Sequence, residues 1–346
     1  MTLAIGDARP LWSPAGVYCN TASFGLPPRP AWDALQAARA DWQAGSCSWE
    51  GWGDETQRAR EVWARLVGVP AEWVATGAVV SAMVGTLAAS LPDRTRVIAP
   101  EVEFSSNLWP FVAQGRGITV ETVPADRLAE AIDATTDVVA FSAAHSATGE
   151  VTDVDAVVRA AEHHGALTIC DATQSVGWLP IDATRFDVVT CSAYKWLMSP
   201  RGSAFMSVRP AFLERVTPQS AGWFAGADIH GSYYGLPMRL APDARRLDLS
   251  PAWFSWVGTT PALELIEQIG VETIHAHNVA LANRLRAGLG LTPSNSAIVS
   301  AAVEAASDKL AGTEVMAATR AGALRASFHV YNTEADVDRV LELLAG

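Results

Sequence analysis

The chain has 346 residues, of which 49% are hydrophobic and 18% are charged. This composition can bury a large core and excludes disorder as the overall state, and the length predicts about two domains, or one large domain with an appendage. Acidic residues outnumber basic ones by 37 to 25, and the net charge of −12 argues against a general nucleic-acid or anionic-membrane surface.

Short β-branched runs alternate with helix-like stretches from about residue 70 to residue 210. Between these runs, residues 154–164 have a helical pattern behind Asp153, a residue type that often caps helices. Apolar strands separated by helices predict an α/β fold with a mainly parallel sheet covered on both faces. Ligands in such folds lie beyond the carboxyl ends of the strands. The predicted strands are residues 96–99, 118–123, 137–142, 166–170 and 187–191.

The pattern changes after about residue 245, where two helices are followed by a short α+β tail. We predict three parts: an N-terminal segment, residues 1–30, over the domain junction; a large α/β domain, residues 31–245; and a smaller C-terminal α+β domain, residues 246–346. The predicted C-terminal helices are residues 260–270, 271–288, 308–310 and 334–344, and the predicted extended segments are residues 296–304 and 323–328.

The four cysteines, at positions 19, 47, 170 and 191, form no CxxC pair. Their spacing predicts no metal site and no dense disulfide framework, and it is typical of a reducing compartment. The N-terminus lacks the basic and apolar regions of a signal peptide. The most apolar stretch, residues 74–91, is interrupted by glycine and serine and is too short to span a bilayer convincingly. We therefore expect a soluble cytoplasmic protein.

Lys195 is one of only two lysines in the chain, the other being Lys309, among 23 arginines. It follows the predicted strand 187–191, at the edge of the sheet where ligands bind. Lysine forms Schiff bases and can lose its proton, whereas arginine does neither readily. A lysine kept at this place suggests a covalent role, with a solvated loop lysine as the simpler alternative.

Asp171 ends the predicted strand 166–170, where a carboxylate is either a helix cap or a site residue. Taken alone, the cap is the simpler interpretation. Asp171 and Lys195 follow strands that should be neighbours, however, and pyridoxal phosphate requires such a pair. The lysine holds the cofactor, and the carboxylate keeps the pyridine nitrogen protonated so that the ring can accept electrons.

The sequence Asp-Ala-Thr-Gln-Ser at 171–175, followed by Ser-Ala-Tyr-Lys at 192–195, resembles the class V branch of fold-type I pyridoxal-phosphate enzymes. This branch contains cysteine desulfurases, selenocysteine and cystine lyases, kynureninase, isopenicillin-N-epimerase-like proteins and some aminotransferases. The resemblance extends over nearly the whole chain and includes residues 18–23, 145–149 and 324–333. It implies the fold-type I transferase fold, with a mainly parallel sheet of the seven-stranded type, and pyridoxal 5'-phosphate as cofactor.

The resemblance also implies roles for individual residues near the two motifs. Lys195 corresponds to the Schiff-base lysine, and Asp171 to the partner of the pyridinium. Gln174 implies a hydrogen bond to the phenolic oxygen of the cofactor. Ser192 and Tyr194 imply phosphate contacts, and Tyr194 stands where relatives often have histidine.

Three further segments are implied to contact the cofactor. Gly77, Ala78 and Val79 resemble the phosphate-binding turn before a helix, where backbone N–H groups hold an anion. Relatives often have threonine there, so a side-chain contact is missing. Phe104 falls where the family stacks an aromatic ring; many desulfurases have histidine there, which can move protons as phenylalanine cannot. Ser146 falls where relatives often have asparagine.

Other positions concern the substrate and a second subunit. Arg325 matches the family's arginine that binds the substrate carboxylate, a task that suits a planar guanidinium. Thr259 or Thr260 resembles the residue that reaches the phosphate of the partner subunit, which implies a homodimer with a shared active site. The tryptophan-rich segment 42–52 is more typical of a core or a dimer interface than of an entrance for a bulky substrate.

The reaction type depends on a missing cysteine. Desulfurases carry a nucleophilic cysteine shortly before the segment that corresponds to Arg325, and residues 313–323 contain none. Cys170 and Cys191 end predicted strands, where thiols are usually inert, and only Cys47 keeps a desulfurase open. We favour a β-eliminating C–S lyase that acts through a Cα carbanion on a cysteine-like or S-conjugated amino acid. The alternatives are an aminotransferase that uses a 2-oxo acid, then an epimerase or desulfurase, and lastly a catalytically inactive binding protein.

Overall fold

A seven-stranded sheet lies at the centre of the computed structural model, which describes residues 2–345. Strands β2 to β8 form this sheet, and the other strands form two smaller sheets. In chain order, all strands described among residues 2–345 are β1 (Val17–Tyr18), β2 (Val74–Gly77), β3 (Arg96–Pro100), β4 (Thr119–Val123), β5 (Val138–Ser142), β6 (Leu167–Asp171), β7 (Val188–Ser192), β8 (Ala204–Val208), β9 (Ile298–Ala301), β10 (Val315–Met316), β11 (Ala318–Arg320) and β12 (Ala323–Ser327).

Helices cover both faces of this sheet and build much of the C-terminal part. In chain order they are α1 (Ile5–Ala8), α2 (Arg29–Ala44), α3 (Trp49–Leu66), α4 (Val80–Ser90), α5 (Ser105–Val112), α6 (Leu128–Ala131), α7 (Val154–His164), α8 (Pro210–Leu213), α9 (Trp253–Ile269), α10 (Val271–Gly288), α11 (Ala306–Leu310) and α12 (Glu334–Ala345). Among residues 2–345, no helix combines the length and the apolar character needed to cross a membrane.

The central sheet has the order β2-β8-β7-β6-β5-β3-β4. Strands β3 to β7 run parallel, while β8 is antiparallel to both β7 and β2. The predicted mainly parallel α/β fold is therefore confirmed, and the five predicted strands are found within one residue at each end. The valine and isoleucine runs form these strands because each strand is covered by helices and must be apolar on both faces.

The register of the central strands brings the ends of β5, β6 and β7 together. Ser142 pairs with Asp171, and Asp171 pairs with Thr190. The predicted helix between β5 and β6 is also found: the side chain of Asp153 accepts the N–H of Ala156 at 3.0 Å and caps α7. The chain consequently leaves β5, β6 and β7 at one edge, and this edge carries the candidate site.

The C-terminal part contains a three-stranded antiparallel sheet with the order β11-β12-β9. The N-terminal segment joins it, because β1 pairs with β10 and Asn20 forms a bridge with Ser327. Helix α9 begins at Trp253, well before the predicted start at residue 260, and packs on α2 and α3. The early start includes Trp256 and Val257, whose burial stabilises a turn that the sequence pattern did not indicate. The division of the chain into domains stays a prediction.

A buried ion pair holds strand β2 in place. Arg60, on α3, donates to Oδ2 of Asp248 at 2.6 Å and also to the carbonyl of Val74. Oδ1 of Asp248 accepts the N–H of Thr76 at 2.7 Å, and both charged side chains are at most 2% exposed. Burial raises the pKa of Asp248, and the charge of Arg60 opposes this shift. The pair therefore fixes the strand that leads into α4.

We predict that Asp248→Ala lowers the free energy of unfolding by about 3–5 kcal/mol, because it leaves the Arg60 guanidinium buried without its counter-ion. Glu264→Ala is the control, since it removes an ion pair with Arg58 in which the arginine side chain is 53% exposed. That loss should stay below about 1 kcal/mol because solvent screens the pair. Urea denaturation followed by circular dichroism measures both values. Equal losses for the two variants would contradict a structural role of the buried pair.

Candidate functional site

A cavity of about 230 Å³ lies at the carboxyl edge of the central sheet. The loops after β5, β6 and β7 and the starts of α4 and α5 contribute its walls, as expected for a parallel sheet. The lining residues are Val79, Val80, Ser81, Phe104, Ser106, Ser142, Ser146, Asp171, Thr173, Gln174, Ser192, Tyr194, Lys195 and Arg201. Most of the residues predicted near the cofactor are thus brought together.

Lys195 is buried beside two aromatic rings of this cavity. Its Nζ lies 5.3 Å from the ring centroid of Phe104 and 5.7 Å from that of Tyr194. Burial lowers the pKa of Lys195 to about 8, and Asp171 partly opposes this shift by raising it. A much larger fraction of the amine is therefore neutral near pH 7 than for an exposed lysine.

Asp171 is buried at the end of β6. Its Oδ1 accepts the N–H of Thr173 at 2.8 Å, so the carboxylate caps the turn that follows the strand and also lines the cavity. Burial raises the pKa of Asp171, while the Thr173 hydrogen bonds and the Lys195 charge act in the opposite direction. The two sequence interpretations of Asp171, a cap and a site residue, are compatible.

Gln174 and Ser146 connect the cavity to the C-terminal sheet. Nε2 of Gln174 donates to Oγ of Ser146 at 2.9 Å, and Oε1 of Gln174 accepts the indole N–H of Trp196 at 2.8 Å. Arg325, on β12, donates from Nη1 to the carbonyl of Ser146 at 2.6 Å and from Nη2 to Oγ of Ser23 at 2.7 Å. Burial lowers the pKa of Arg325 to about 10, and the nearby charge of Arg320 adds to the shift. Arg325 thus lies next to the cavity wall, although its strand belongs to another sheet.

The residues around the start of α4 that line the cavity lie slightly later in the sequence than the predicted turn. Of Gly77, Ala78 and Val79, only Val79 lines the cavity, together with Val80 and Ser81. Gly77 and Ala78 are not among the residues that line the cavity, and their contact with the cofactor stays a prediction. Gly77 ends β2 with a packing role, because a Cβ atom there would approach Cε of Met83 to 2.8 Å.

Arg201 is a wall residue that the sequence reasoning did not assign. Its guanidinium carbon lies 4.9 Å from the ring centroid of Tyr194, so the two side chains are within cation–π distance. The Pro-Arg-Gly turn shortly after Lys195 is the signal that could have identified it. Arg201 adds a positive charge to a cavity wall that also includes Ser192 and the start of α4.

Thr259 and Thr260 both point into their own chain in the structure, and their contact with the phosphate of a partner subunit stays a prediction. Each residue is 0% exposed. Oγ1 of Thr259 donates to the carbonyl of Ser255 at 2.7 Å, and Oγ1 of Thr260 donates to the carbonyl of Glu55 at 2.9 Å. The early start of α9 places both threonines on the buried part of a helix.

Glu103, which the sequence reasoning missed, lies behind the cavity wall. Its Oε1 accepts Oγ–H of Ser142 at 2.6 Å and the N–H of Phe104 at 2.8 Å. Burial, and then the charge of Asp171, raise the pKa of Glu103 to about 7. Glu103 thereby holds the end of β5 and the backbone of Phe104, and its position just before Phe104 was the available signal.

No cysteine lines the cavity. Cys19, Cys170 and Cys191 are buried, and Cys47 is exposed. Burial raises the pKa values of Cys170 and Cys191 well above the usual range, so both thiols stay protonated. An arrangement that would place a thiolate next to Lys195 is therefore not seen among residues 2–345.

The tryptophan-rich segment 42–52 packs on other aromatic side chains at the surface. Trp49 stacks on Trp253 with 6.0 Å between ring centroids, and Trp52 meets Phe254 edge to face at 5.2 Å. Trp42 remains 63% exposed. These rings lie outside the set of cavity-lining residues, which favours the interface interpretation over the entrance interpretation.

Comparisons with known proteins add family information to this geometry. The family described as Aminotransferase class-V matches residues 52–309. A relative named "Uncharacterized aminotransferase YcbU", from Bacillus subtilis, is 26% identical over 84% of this chain and 84% of its own length. Isopenicillin N epimerase from Streptomyces clavuligerus is 27% identical, over 97% of this chain and 96% of its own.

Among solved structures, the cystine C–S lyase C-DES, in complex with its reaction product cysteine persulfide, has a TM-score of 0.85. The match covers 96% of this chain and 97% of that chain at 20% identity. Another structure of C-DES contains glycine covalently linked to the PLP cofactor. At this level of identity the structural likeness establishes the fold.

The lowered pKa of Lys195 predicts when its amine reacts. In the protein without bound ligand, reductive methylation of Lys195 by formaldehyde should rise with pH through a midpoint near 8, because only the neutral amine reacts. In Asp171→Ala the midpoint should move to lower pH, since Asp171 raises the Lys195 pKa. Peptide mass spectrometry measures the rate, with Lys309 as the internal reference. A midpoint near the ordinary lysine value of 10.5 would contradict the buried position.

The raised pKa of Glu103 predicts a pH-dependent stability. Between the unfolded value of 4.5 and the folded value of about 7, the folded protein holds a proton that the unfolded chain releases. The contribution of Glu103 to the free energy of unfolding is therefore fully present below pH 4.5 and is lost as the pH rises through 7. In the protein without bound ligand, Glu103→Gln should remove this fall and gain up to about 3 kcal/mol relative to the parent protein at pH 8.

Urea denaturation between pH 5 and pH 8 measures the effect of Glu103→Gln. Glu101→Gln, at an exposed neighbouring position, is the control and should keep the pH dependence of the parent protein. Parallel stability curves for the parent and Glu103→Gln would show that Glu103 does not carry the proton.

Proposed function

The chain belongs to the aminotransferase class-V family of pyridoxal-phosphate-dependent enzymes, and on this premise we propose that it cleaves a C–S bond by β-elimination from a cysteine-like or S-conjugated amino acid. One observation carries the proposal: the cavity contains Lys195 and Asp171 and adjoins Arg325, while no cysteine lines it. Elimination needs a base and an anchored amino acid, whereas persulfide-forming desulfuration needs a thiol nucleophile as well.

The residues of the cavity fit pyridoxal phosphate. Lys195 presents a buried amine, and Asp171 is a buried carboxylate for which the desolvation effect exceeds the attraction of Lys195. A cationic pyridine N–H would supply the missing compensation. Ser192, Arg201 and the first turn of α4 offer donors and positive charge for a phosphate. These residues would hold the cofactor, which supplies an electron sink for negative charge at the substrate Cα.

Lys195 is the proposed base that removes the Cα proton. With a pKa of about 8, about a tenth of the amine is neutral at pH 7, whereas an exposed lysine is almost fully protonated. Phe104 and Tyr194 flank Nζ and limit the access of water. Phe104 cannot exchange protons with Nζ.

Arg325 is the proposed anchor for the substrate α-carboxylate. Ser146 and Ser23 orient its guanidinium from two sides, and its Nε is buried without a hydrogen-bond partner. Among residues 2–345, no carboxylate lies within ion-pair distance of Arg325. A buried guanidinium without a counter-ion is suited to take up a carboxylate in a bidentate pair.

The overall reaction consumes water and releases three products. The proton leaves Cα for Nζ of Lys195, the Cβ–S bond breaks with its electron pair on sulfur, and the thiolate takes up a proton. Hydrolysis of the remaining three-carbon unit gives pyruvate and ammonia. Amino transfer to a 2-oxo acid is the second candidate, because the B. subtilis relative is named an aminotransferase.

We predict that the holoenzyme converts S-(4-carboxyphenyl)cysteine to 4-mercaptobenzoate, pyruvate and ammonia in equal amounts without a 2-oxo acid. Lys195→Ala should abolish turnover, because it removes the proposed base. Cys47→Ser is the matched control: it removes the exposed cysteine without disturbing the core and should keep turnover within about twofold. Mass spectrometry of the products is the measurement.

Two outcomes of this experiment would contradict β-elimination. Activity that requires an added 2-oxo acid and moves the amino group onto it would establish the aminotransferase instead. A persulfide on Cys47, together with loss of activity in Cys47→Ser, would establish a desulfurase.

We further propose that the active unit is a homodimer. Several large aromatic side chains are left in water by the single chain, among them Trp32 at 52%, Trp42 at 63% and Trp109 at 67% exposure. A second copy would cover such a surface.

We predict that sedimentation shows a species of twice the chain mass at assay concentration. Trp42→Arg should shift the distribution toward the monomer, because a charge replaces an exposed apolar contact. Full activity in a sample that sediments as a monomer would contradict the proposal.

A further inference from the structure

We infer that the site takes an amino acid whose side chain carries a second anionic group, and that Arg320 binds this group. The inference rests on the proposed function, because it takes Arg325 as the anchor of the α-carboxylate. The substrates in question end in a carboxylate or sulfonate, and a cysteine derivative with an acidic S-substituent belongs to this class.

Strands β11 and β12 place the two arginines on the same face of the C-terminal sheet. Ala318 pairs with Arg325, and Arg320 pairs with Ala323. Because alternate residues of a strand share a face, Arg320 and Arg325 project in the same direction. Ala321 and Gly322 have φ values of 47° and 79° and form the tight connection between the strands.

Both guanidinium groups meet at one hydroxyl. Nη2 of Arg325 donates to Oγ of Ser23 at 2.7 Å, and Nη2 of Arg320 donates to the same oxygen at 3.3 Å. Ser23 belongs to the N-terminal segment that joins the C-terminal sheet through Asn20. The Ser23 hydroxyl therefore holds the two positive charges close together without neutralising either of them.

The charge at this place is uncompensated within residues 2–345. Neither Arg320 nor Arg325 lies within 4.0 Å of a carboxylate oxygen, although the chain has 37 acidic and 25 basic residues. By contrast, Arg284 and Arg339 pair with Asp338 and Glu314 at 2.7 Å on the protein surface. Like charges repel, and an anion between them would turn this repulsion into attraction.

The difference in burial assigns the two arginines to different groups of the substrate. Arg325 is 1% exposed and bonded to Ser146 of the cavity wall, so it serves the reacting end. Arg320 is exposed and shares the Ser23 hydroxyl with Arg325. The charges of both arginines lower the pKa of Lys195. A second anionic group would therefore lie at Arg320, the solvent-exposed member of the pair.

Binding of ligands that lack an amino group tests the inference without turnover. Titration calorimetry on the holoenzyme compares succinate and glutarate with butyrate and valerate at low ionic strength, since salt screens an exposed arginine. We expect the dicarboxylates to bind at least about tenfold more tightly. Arg320→Gln should remove this preference and leave butyrate binding unchanged within about twofold, and Arg320→Lys should keep part of it.

Arg127→Gln is the matched control for net charge, because Arg127 is exposed and follows the edge strand β4. It should keep the dicarboxylate preference of the parent enzyme. Equal weakening of succinate and butyrate in Arg320→Gln would overturn the inference, because both arginines would then bind a single carboxylate. The absence of any dicarboxylate preference in the parent enzyme would overturn it as well.

The two proposals fail separately. An enzyme that prefers dicarboxylates as described but forms no pyruvate from S-conjugates supports the second anion site and contradicts β-elimination. An enzyme that eliminates thiols but binds succinate and butyrate equally overturns the second anion site alone.

Discussion

The burial of an amine and a carboxylate at the ends of adjacent parallel strands is the constraint around which this site is built. Asp171 ends β6 and Lys195 follows β7, and both side chains are almost inaccessible to solvent. Burial disfavours the charged form of each group, and their mutual attraction and the N–H of Thr173 offset only part of this effect. The result is an amine with a pKa of about 8 and a carboxylate that gains from a cationic partner, the two properties that pyridoxal-phosphate chemistry uses.

Residues outside the cavity keep this arrangement in place. Glu103 ties the end of β5 to the backbone before α5, and the buried pair of Arg60 and Asp248 fixes β2 just before α4. Trp196 orients Gln174 from behind. These contacts act through the backbone and through hydrogen bonds to wall residues, so a change in any of them would alter the geometry of the cavity without touching a ligand.

The fold supports several chemistries, and the choice among them depends on a few side chains. The relatives and structural neighbours include proteins named as an epimerase, an aminotransferase and a C–S lyase. In this chain, phenylalanine and tyrosine flank the lysine, no cysteine lines the cavity, and two arginines converge on Ser23. These features favour proton removal by Lys195 alone from a substrate that is held by its negative charges. Fold and function are therefore separate conclusions for this protein.

The parallel sheet and the positions of Lys195 and Asp171 could be predicted from the sequence because they depend on local patterns: buried strands are runs of valine and isoleucine, and the motif residues follow such strands directly. The resemblance of these motifs to a known family implied the cofactor. The other features depend on contacts between distant parts of the chain. Burial of Trp256 extends α9 toward its N-terminus, and the side chains of Thr259 and Thr260 point inward in the single chain. Glu103 carries no motif, and its raised pKa arises from burial and from Asp171 on another strand. The meeting of Arg320 and Arg325 at Ser23 joins residues about 300 positions apart, and a contact of that kind leaves no periodicity or spacing in the sequence.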